Sequence, residues 1–274
     1  MRLGDSYFSI ARTQTQSEVD YSKARTYWEK LVEIDESTAL AHRVRARILW
    51  QYDREWKEAK AAYKRSSELD VTLETDSGFL EWIANPEECL SQIERKLERA
   101  DPLSASQQAD IGYAFLSSRE YDRAIEQVNK VHALEPQGTV PGLLWLAYIQ
   151  TGREEEAIER FFQSESRRNA SEEEIITLRE SLEKSGTDAL WRSILERQLK
   201  RGIAILIAST YARLGDTDEA FEWLENAWSQ PLRGMENAPS SFHWDPLRSD
   251  PRFEQLLRKL KLPEEAIQRH LAVH

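Results

Sequence analysis

The stretch Ile205-Leu206-Ile207-Ala208-Ser209-Thr210-Tyr211-Ala212-Arg213-Leu214-Gly215-Asp216-Thr217-Asp218-Glu219-Ala220-Phe221-Glu222-Trp223-Leu224-Glu225-Asn226-Ala227 reads as two helices joined by a Leu-Gly-Asp turn. Ala208, Ala220 and Ala227 fall where two helix backbones approach closely, and Tyr211, Leu214 and Leu224 fill the space between them. The pattern returns as Asp110-Ile111-Gly112-Tyr113-Ala114-Phe115 with Tyr121-Asp122-Arg123-Ala124-Ile125. It returns again as Leu144-Trp145-Leu146-Ala147-Tyr148 with Gly152 and Glu156-Ala157-Ile158. Ala124 and Ala157 lie 33 residues apart. A helix pair at that period cannot bury its apolar face alone and must stack on its neighbours, so a repeat array is expected.

Working outward, about seven pairs are expected. The first runs from Leu3 to Ile34 with Trp28 and Leu31 on its buried stripe, and the second from Ser37 to Leu69 with the motif Trp56-Lys57-Glu58-Ala59. The third, Glu74 to Ala100, is degenerate. Cys89 takes its small-residue position, and Pro86 starts its second helix. The fourth and fifth run from Ser104 to Leu134 and from Val140 to Glu165, with Trp145 where a glycine or alanine is usual. In the sixth, Ser171 to Lys200, Ser171 and Glu174 form a capping box and Ser185-Gly186-Thr187-Asp188 a turn. Gly202 precedes the seventh. The recurring unit resembles the tetratricopeptide repeat, which implies an all-α fold over residues 1–230, a right-handed α-solenoid superhelix.

Residues 231–274 change character. Pro231, Gly234 and Pro239 argue for a loop. Asp245-Pro246 and Asp250-Pro251 each suit a capped, proline-led helix start. Phe253, Leu256, Leu257 and Leu260 then share one apolar face, expected to cap the array against Phe221, Leu224 and Trp228.

Composition bounds the partners. The formal net charge of −11 argues against a nucleic-acid backbone, which asks for a clustered basic face, and Arg43, Arg45 and Arg47 alternate around their helix instead. The longest apolar stretches, Leu143 to Ile149 and Ile203 to Ala208, are too short to cross a bilayer. Asp5 interrupts any secretory leader. With the single cysteine, Cys89, this makes a cytoplasmic location the expectation, without nucleic-acid or membrane partners. The nine tryptophans are expected to fill irregular gaps between helices.

The combination of Leu49-Trp50-Gln51-Tyr52-Asp53-Arg54-Glu55-Trp56-Lys57-Glu58-Ala59, Tyr211-Ala212-Arg213-Leu214-Gly215-Asp216 and Asp245-Pro246-Leu247-Arg248-Ser249-Asp250-Pro251-Arg252-Phe253 supports a narrower resemblance. It is similar to bacterial arrays that form the C-terminal part of winged-helix transcriptional regulators, serine/threonine kinases and adenylate cyclases. The resemblance spans nearly the whole chain and implies protein–protein interaction. No glycine-rich phosphate loop or kinase catalytic motif accompanies it.

Candidate chemistry is sparse. His270 and His274 stand four apart at the C-terminus but lack the glutamate of a zinc-hydrolase helix. His42 and His132 lie inside helical patterns. Glu154-Glu155-Glu156 and Glu172-Glu173-Glu174 open helices, where negative charge suits the macrodipole. The reading is therefore a non-enzymatic scaffold without catalytic residues, metal or cofactor. Its concave wall, lined by the first helix of each pair, would hold a peptide or protein partner on Tyr113, Leu116, Ser117, Leu146, Ile149, Gln150, Ser209 and Arg213. Leu116, Leu146 and Ile149 equally suit packing on neighbouring pairs. The alternative is a regulatory region of a larger signalling or transcription-regulating protein; self-association stays open in both.

Overall fold

The computed structural model describes residues 37–70, 100–135, 141–167, 170–229 and 239–272, with scattered positions between 26 and 33 and between 93 and 98. The expected first and third pairs, the loop at Pro231 and Gly234, and His274 lie outside the described residues. Every regular element within them is a helix, and neighbouring helices pack as antiparallel pairs in an α-solenoid. The first described pair is α1 (Ala39–Ile48) and α2 (Trp56–Leu69). Next come α3 (Ala105–Ser117) with α4 (Tyr121–Leu134) and α5 (Pro141–Gln150) with α6 (Glu154–Arg167). Then follow α7 (Glu172–Ser185) with α8 (Asp188–Arg201) and α9 (Ala204–Leu214) with α10 (Thr217–Ser229).

Small residues set the helix spacing. Ala59, Ala124, Ala157 and Ala220 are each no more than 1% exposed, so a larger side chain there would meet the facing helix. In the α3/α4 pair the approach is closer still: a Cβ on Gly112 would stand 2.7 Å from Val128 Cγ2. Trp145 is accommodated by reaching beyond its own pair, with its ring 5.3 Å from Phe161 and 4.2 Å from Trp191 of α8.

The turns inside the pairs share one design. In three of them an N–H reaches back five residues to the helix it has just left, Glu120 to Phe115 at 2.9 Å, Arg153 to Tyr148 at 2.9 Å and Asp216 to Tyr211 at 3.1 Å. This is the Schellman closure, which needs a left-handed residue just before the donor. Gly152 and Gly215 supply it with φ of 69° and 80°. Arg119 and Arg54 supply it with φ of 65° and 61°, although a side chain in that conformation costs roughly 1–2 kcal/mol. The α1/α2 turn carries one extra residue, absorbed by a π-helical turn over Leu49–Asp53, so Glu55 N–H reaches Leu49 at 2.9 Å.

The α7/α8 pair departs from the others. Its capping box forms as expected, with Ser171 N–H donating to Glu174 Oε2 at 2.7 Å and Glu174 N–H to Ser171 Oγ at 3.2 Å. Yet α7 has no buried residue, and the pair joins the core through Leu190, Trp191 and Leu195 of α8. Arg197 of α8 also pairs with the nearly buried Glu165 of α6 at 3.0 Å.

Residues 239–272 form a strap of three short helices: the 3-10 helix η1 (Phe242–Leu247), α11 (Pro251–Lys259) and α12 (Glu264–Ala272). Asp250 caps α11 through Arg252 N–H at 2.9 Å, with Pro251 at the first position as expected. Asp245 caps nothing. Ser241 caps η1, Pro246 sits inside it, and the Asp245 carboxylate goes to two arginines instead. The α11 residues Phe253, Leu256 and Leu257, with Leu260 just beyond, are buried, and the Phe253 ring lies 5.8 Å from Trp228 of α10. Trp228 also meets Trp244 of η1 at 6.0 Å, and the Arg252 guanidinium covers Phe221 at 4.3 Å. The strap therefore covers the apolar face that α10 would otherwise expose.

Candidate functional site

The strap does more than cover the last pair. Trp56 Nε1, in the first described pair, donates to Leu260 O at 2.8 Å, and Lys261 Nζ reaches Asp53 O at 3.5 Å. Arg54 Nη2 donates to Trp228 O at 3.2 Å. Arg119, between α3 and α4, donates Nε to Asp245 Oδ2 at 3.0 Å and Nη2 to Asp245 Oδ1. Its Nη1 holds Ser117 O at 3.0 Å, and both terminal nitrogens approach Ser240 O at 3.4 Å. Meanwhile η1 packs on α9, the first helix of the last pair. The strap therefore spans the turn and second helix of the first described pair, the α3/α4 turn and the last pair.

Around Asp245 the wall is basic. Arg119 and Arg248 both bond its carboxylate, and Arg213 of α9 lies within electrostatic reach of it. Burial lowers the Arg213 pKa, and the nearby Tyr121 and Asp245 oppose that shift. Tyr121 is pushed up chiefly by burial and secondly by Asp245, against the pull of Arg119 and Arg213. Among the described residues Arg213 makes no hydrogen bond; its guanidinium stands 5.6 Å over the Trp191 ring. Ser117 Oγ, Ser118 Oγ and Ser240 Oγ are buried here without a hydrogen-bond partner among the described residues.

The eight wall residues read from the sequence separate into two groups. Leu116 and Ser117 are each 1% exposed and belong to the interior. Tyr113, Leu146, Ile149, Gln150, Ser209 and Arg213 are partly buried, with Leu146 and Ile149 resting on the core. Ser209 Oγ donates to Leu206 O at 2.8 Å, within its own helix. The sequence reading did not single out Arg54, Arg119 or the carboxylate of Asp245. Arg54 and Arg119 had a signal: each stands five residues before a signature alanine, where Gly152 and Gly215 stand in other pairs. His270 is fully buried, with its backbone carbonyl taken by Arg248. Among the described residues no group of three metal-ligating side chains converges, and no described helix is long and apolar enough to cross a membrane.

Residues 203–228 match the family model of the tetratricopeptide repeat. That tetratricopeptide repeat comprises α9 and nearly all of α10, the pair on which the strap rests. A protein–protein interaction module is what such a repeat supports. A search of the curated proteins gives no match.

One titration follows from this geometry. His243, on η1, has its pKa pushed down to about 4, first by burial and then by Arg213, with Asp245 opposing. A folded-state pKa below the unfolded value of about 6.5 means that the unfolded chain binds the proton more readily. The strap's stability is therefore fully present above about pH 6.5 and declines as pH falls toward 4. The expected loss is on the order of 3 kcal/mol, and His243→Phe should remove that part of the slope in denaturant titrations between pH 4 and 7.

Proposed function

We propose that this chain is a non-enzymatic protein-binding array, and that the inner wall of its helix pairs receives an extended or helical segment of a partner. The observation that supports this reading is the strap, a turn of chain that the helix pairs hold through an aspartate and backbone carbonyls. Tyr113, Leu146, Ile149, Gln150, Ser209 and Arg213 offer apolar and polar groups on three first helices, α3, α5 and α9, which suits a peptide read along its length. The regulatory region of a larger signalling or transcription-regulating protein is the second reading. It rests on the tandem Asp-Pro motif from Asp245 to Phe253, and in it the output domain lies outside this chain.

The test is capture on the immobilised full chain followed by cross-linking mass spectrometry. Wall binding predicts cross-links to α5 and α9. Arg213→Ala and Tyr113→Ala together should lower capture at least about tenfold, as expected for truncating anchors in an interface, while the helical circular-dichroism signal stays intact. Capture that survives both changes, with cross-links on second helices, would move the site to the outer face.

A further inference from the structure

We propose that Arg119 is a latch that holds the strap against the helix pairs, and that the partner of this surface is an acidic segment which takes the place of Asp245. The inference rests on the wall-binding reading above and adds to it a resident occupant and a ligand chemistry.

The first line of argument is placement. The turn inside each pair asks for a left-handed residue, and glycine meets that demand without strain at Gly152 and Gly215. At the equivalent position two pairs carry arginine, with φ of 61° and 65°. Within its own turn the Arg119 guanidinium meets one carbonyl, Ser117 O at 3.0 Å. What distinguishes these two positions is their reach: Arg54 bonds Trp228 O beneath the strap, and Arg119 clamps Asp245 with a two-pronged contact and also holds Ser240 O. Each strained turn therefore carries a contact joining sequence positions more than a hundred residues apart.

The second line is charge. Arg119, Arg213 and Arg248 surround one described carboxylate, in a chain whose net charge is −11. Arg213 has no hydrogen-bond partner among the described residues, so this part of the wall keeps a cation to offer. A segment carrying two or more carboxylates satisfies Arg119 and Arg213 together, which Asp245 alone does not. Guanidinium forks favour carboxylates of this kind.

The third line is the quality of the joint. The joint is polar: Arg119 meets the strap through Asp245 and Ser240 O, with the Ser117, Ser118 and Ser240 hydroxyls beside it. The strap also has its own organising residue. Arg248 ties Pro239, Ser241, Asp245 and His270 together within the strap, so the strap can lift as a unit without losing its internal bonds. Units of this kind open below the free energy of global unfolding.

The experiment uses the full chain. Arg119→Gly keeps the turn, relieves its strain and removes the clamp, so misfolding is not expected. Hydrogen-exchange mass spectrometry should show amides of residues 242–260 exchanging about tenfold to a hundredfold faster in Arg119→Gly, the scale of a lost charged hydrogen bond, with α3 and α4 unchanged. Arg54→Gly relieves the same kind of turn but releases a bond to α10 and not to the strap, so it serves as the control and should leave these amides unchanged. In a second arm, a labelled peptide spanning residues 239–250 is titrated onto full-length Asp245→Asn, in which the arginine is kept and its resident carboxylate removed. Binding should be at least about tenfold tighter than to the unaltered chain, and the same peptide with asparagine in place of Asp245 should lose it. Unchanged exchange at 242–260 in Arg119→Gly overturns the latch. Faster exchange without peptide binding overturns the acidic partner alone, since the wall-binding reading is decided separately by the capture and cross-linking test.

Discussion

Removing residues 240–274 is expected to leave a chain that melts at least roughly 10–20 °C lower and aggregates on standing. The strap buries Phe242, Trp244, Leu247, Phe253, Leu256, Leu257, Leu260, Leu262 and Ile267. Each such side chain is worth roughly 1.5–3 kcal/mol before the entropy of ordering it is subtracted. Part of that burial is internal to the strap, but Trp228, Phe221 and Leu224 of α10 and Trp56 of α2 depend on it for cover. A loss of about 5 kcal/mol moves the midpoint of a chain this size by the stated amount. The measurements are thermal melting by circular dichroism and size-exclusion chromatography of fresh and aged protein. A truncated chain that stays monomeric with an unchanged midpoint would show that the strap merely rests on the wall. Permanent removal and transient lifting differ here: an open strap re-docks before apolar surface finds another molecule, and a missing one cannot.

The local part of this architecture was legible in the sequence. Alanines at fixed offsets mark helix crossings, and Ala124, Ala157 and Ala220 are buried. The Ser171 box and the Asp250-Pro251 start are encoded within four residues and fold as written. What the sequence did not reveal are contacts between distant positions. Asp245-Pro246 looks like a helix start by the same local rule as Asp250-Pro251, yet two arginines compete for its carboxylate, one of them 126 residues away. Charge-assisted bonds at a partly buried site outweigh a cap worth about 1 kcal/mol. Leu116 and Ser117 were expected on the wall and lie in the interior. Helical periodicity fixes which face is apolar, but α3 is apolar over so wide an arc that the border between interior and wall is not encoded in it. The arginines at positions 54 and 119 were visible as departures from a glycine column. Their meaning required knowing what stood within reach.

Arg248→Met is expected to destabilise the chain by about 3–5 kcal/mol, the largest effect of any single substitution considered. The Arg248 side chain is 3% exposed, and four contacts surround its guanidinium. Nε donates to Asp245 Oδ1 at 2.7 Å, Nη1 to His270 O at 2.8 Å, and Nη2 to Pro239 O at 3.1 Å and Ser241 O at 3.0 Å. Burial lowers its pKa while Asp245 and its hydrogen bond pull it back up, so the group stays charged at every accessible pH. Methionine fills similar volume without donors and takes one donor each from the Pro239 and His270 carbonyls, at roughly 1–3 kcal/mol apiece, while Ser241 O keeps the Trp244 N–H. Asp245 would keep Arg119, which limits the damage to the strap itself. Arg248→Lys should fall between the two, because an ammonium cannot span contacts that a planar fork reaches together. Arg252→Met is the matched control. Its ion pairs to Asp218 at 2.7 Å and Asp250 at 2.8 Å sit at a solvent-exposed surface, where such pairs contribute about 0–1 kcal/mol. Urea unfolding of the three variants separates the cases. If Arg248→Met costs no more than Arg252→Met, the strap is organised by its apolar side chains alone. A cost several-fold larger places the guanidinium at the centre of a unit that folds, docks and lifts as one.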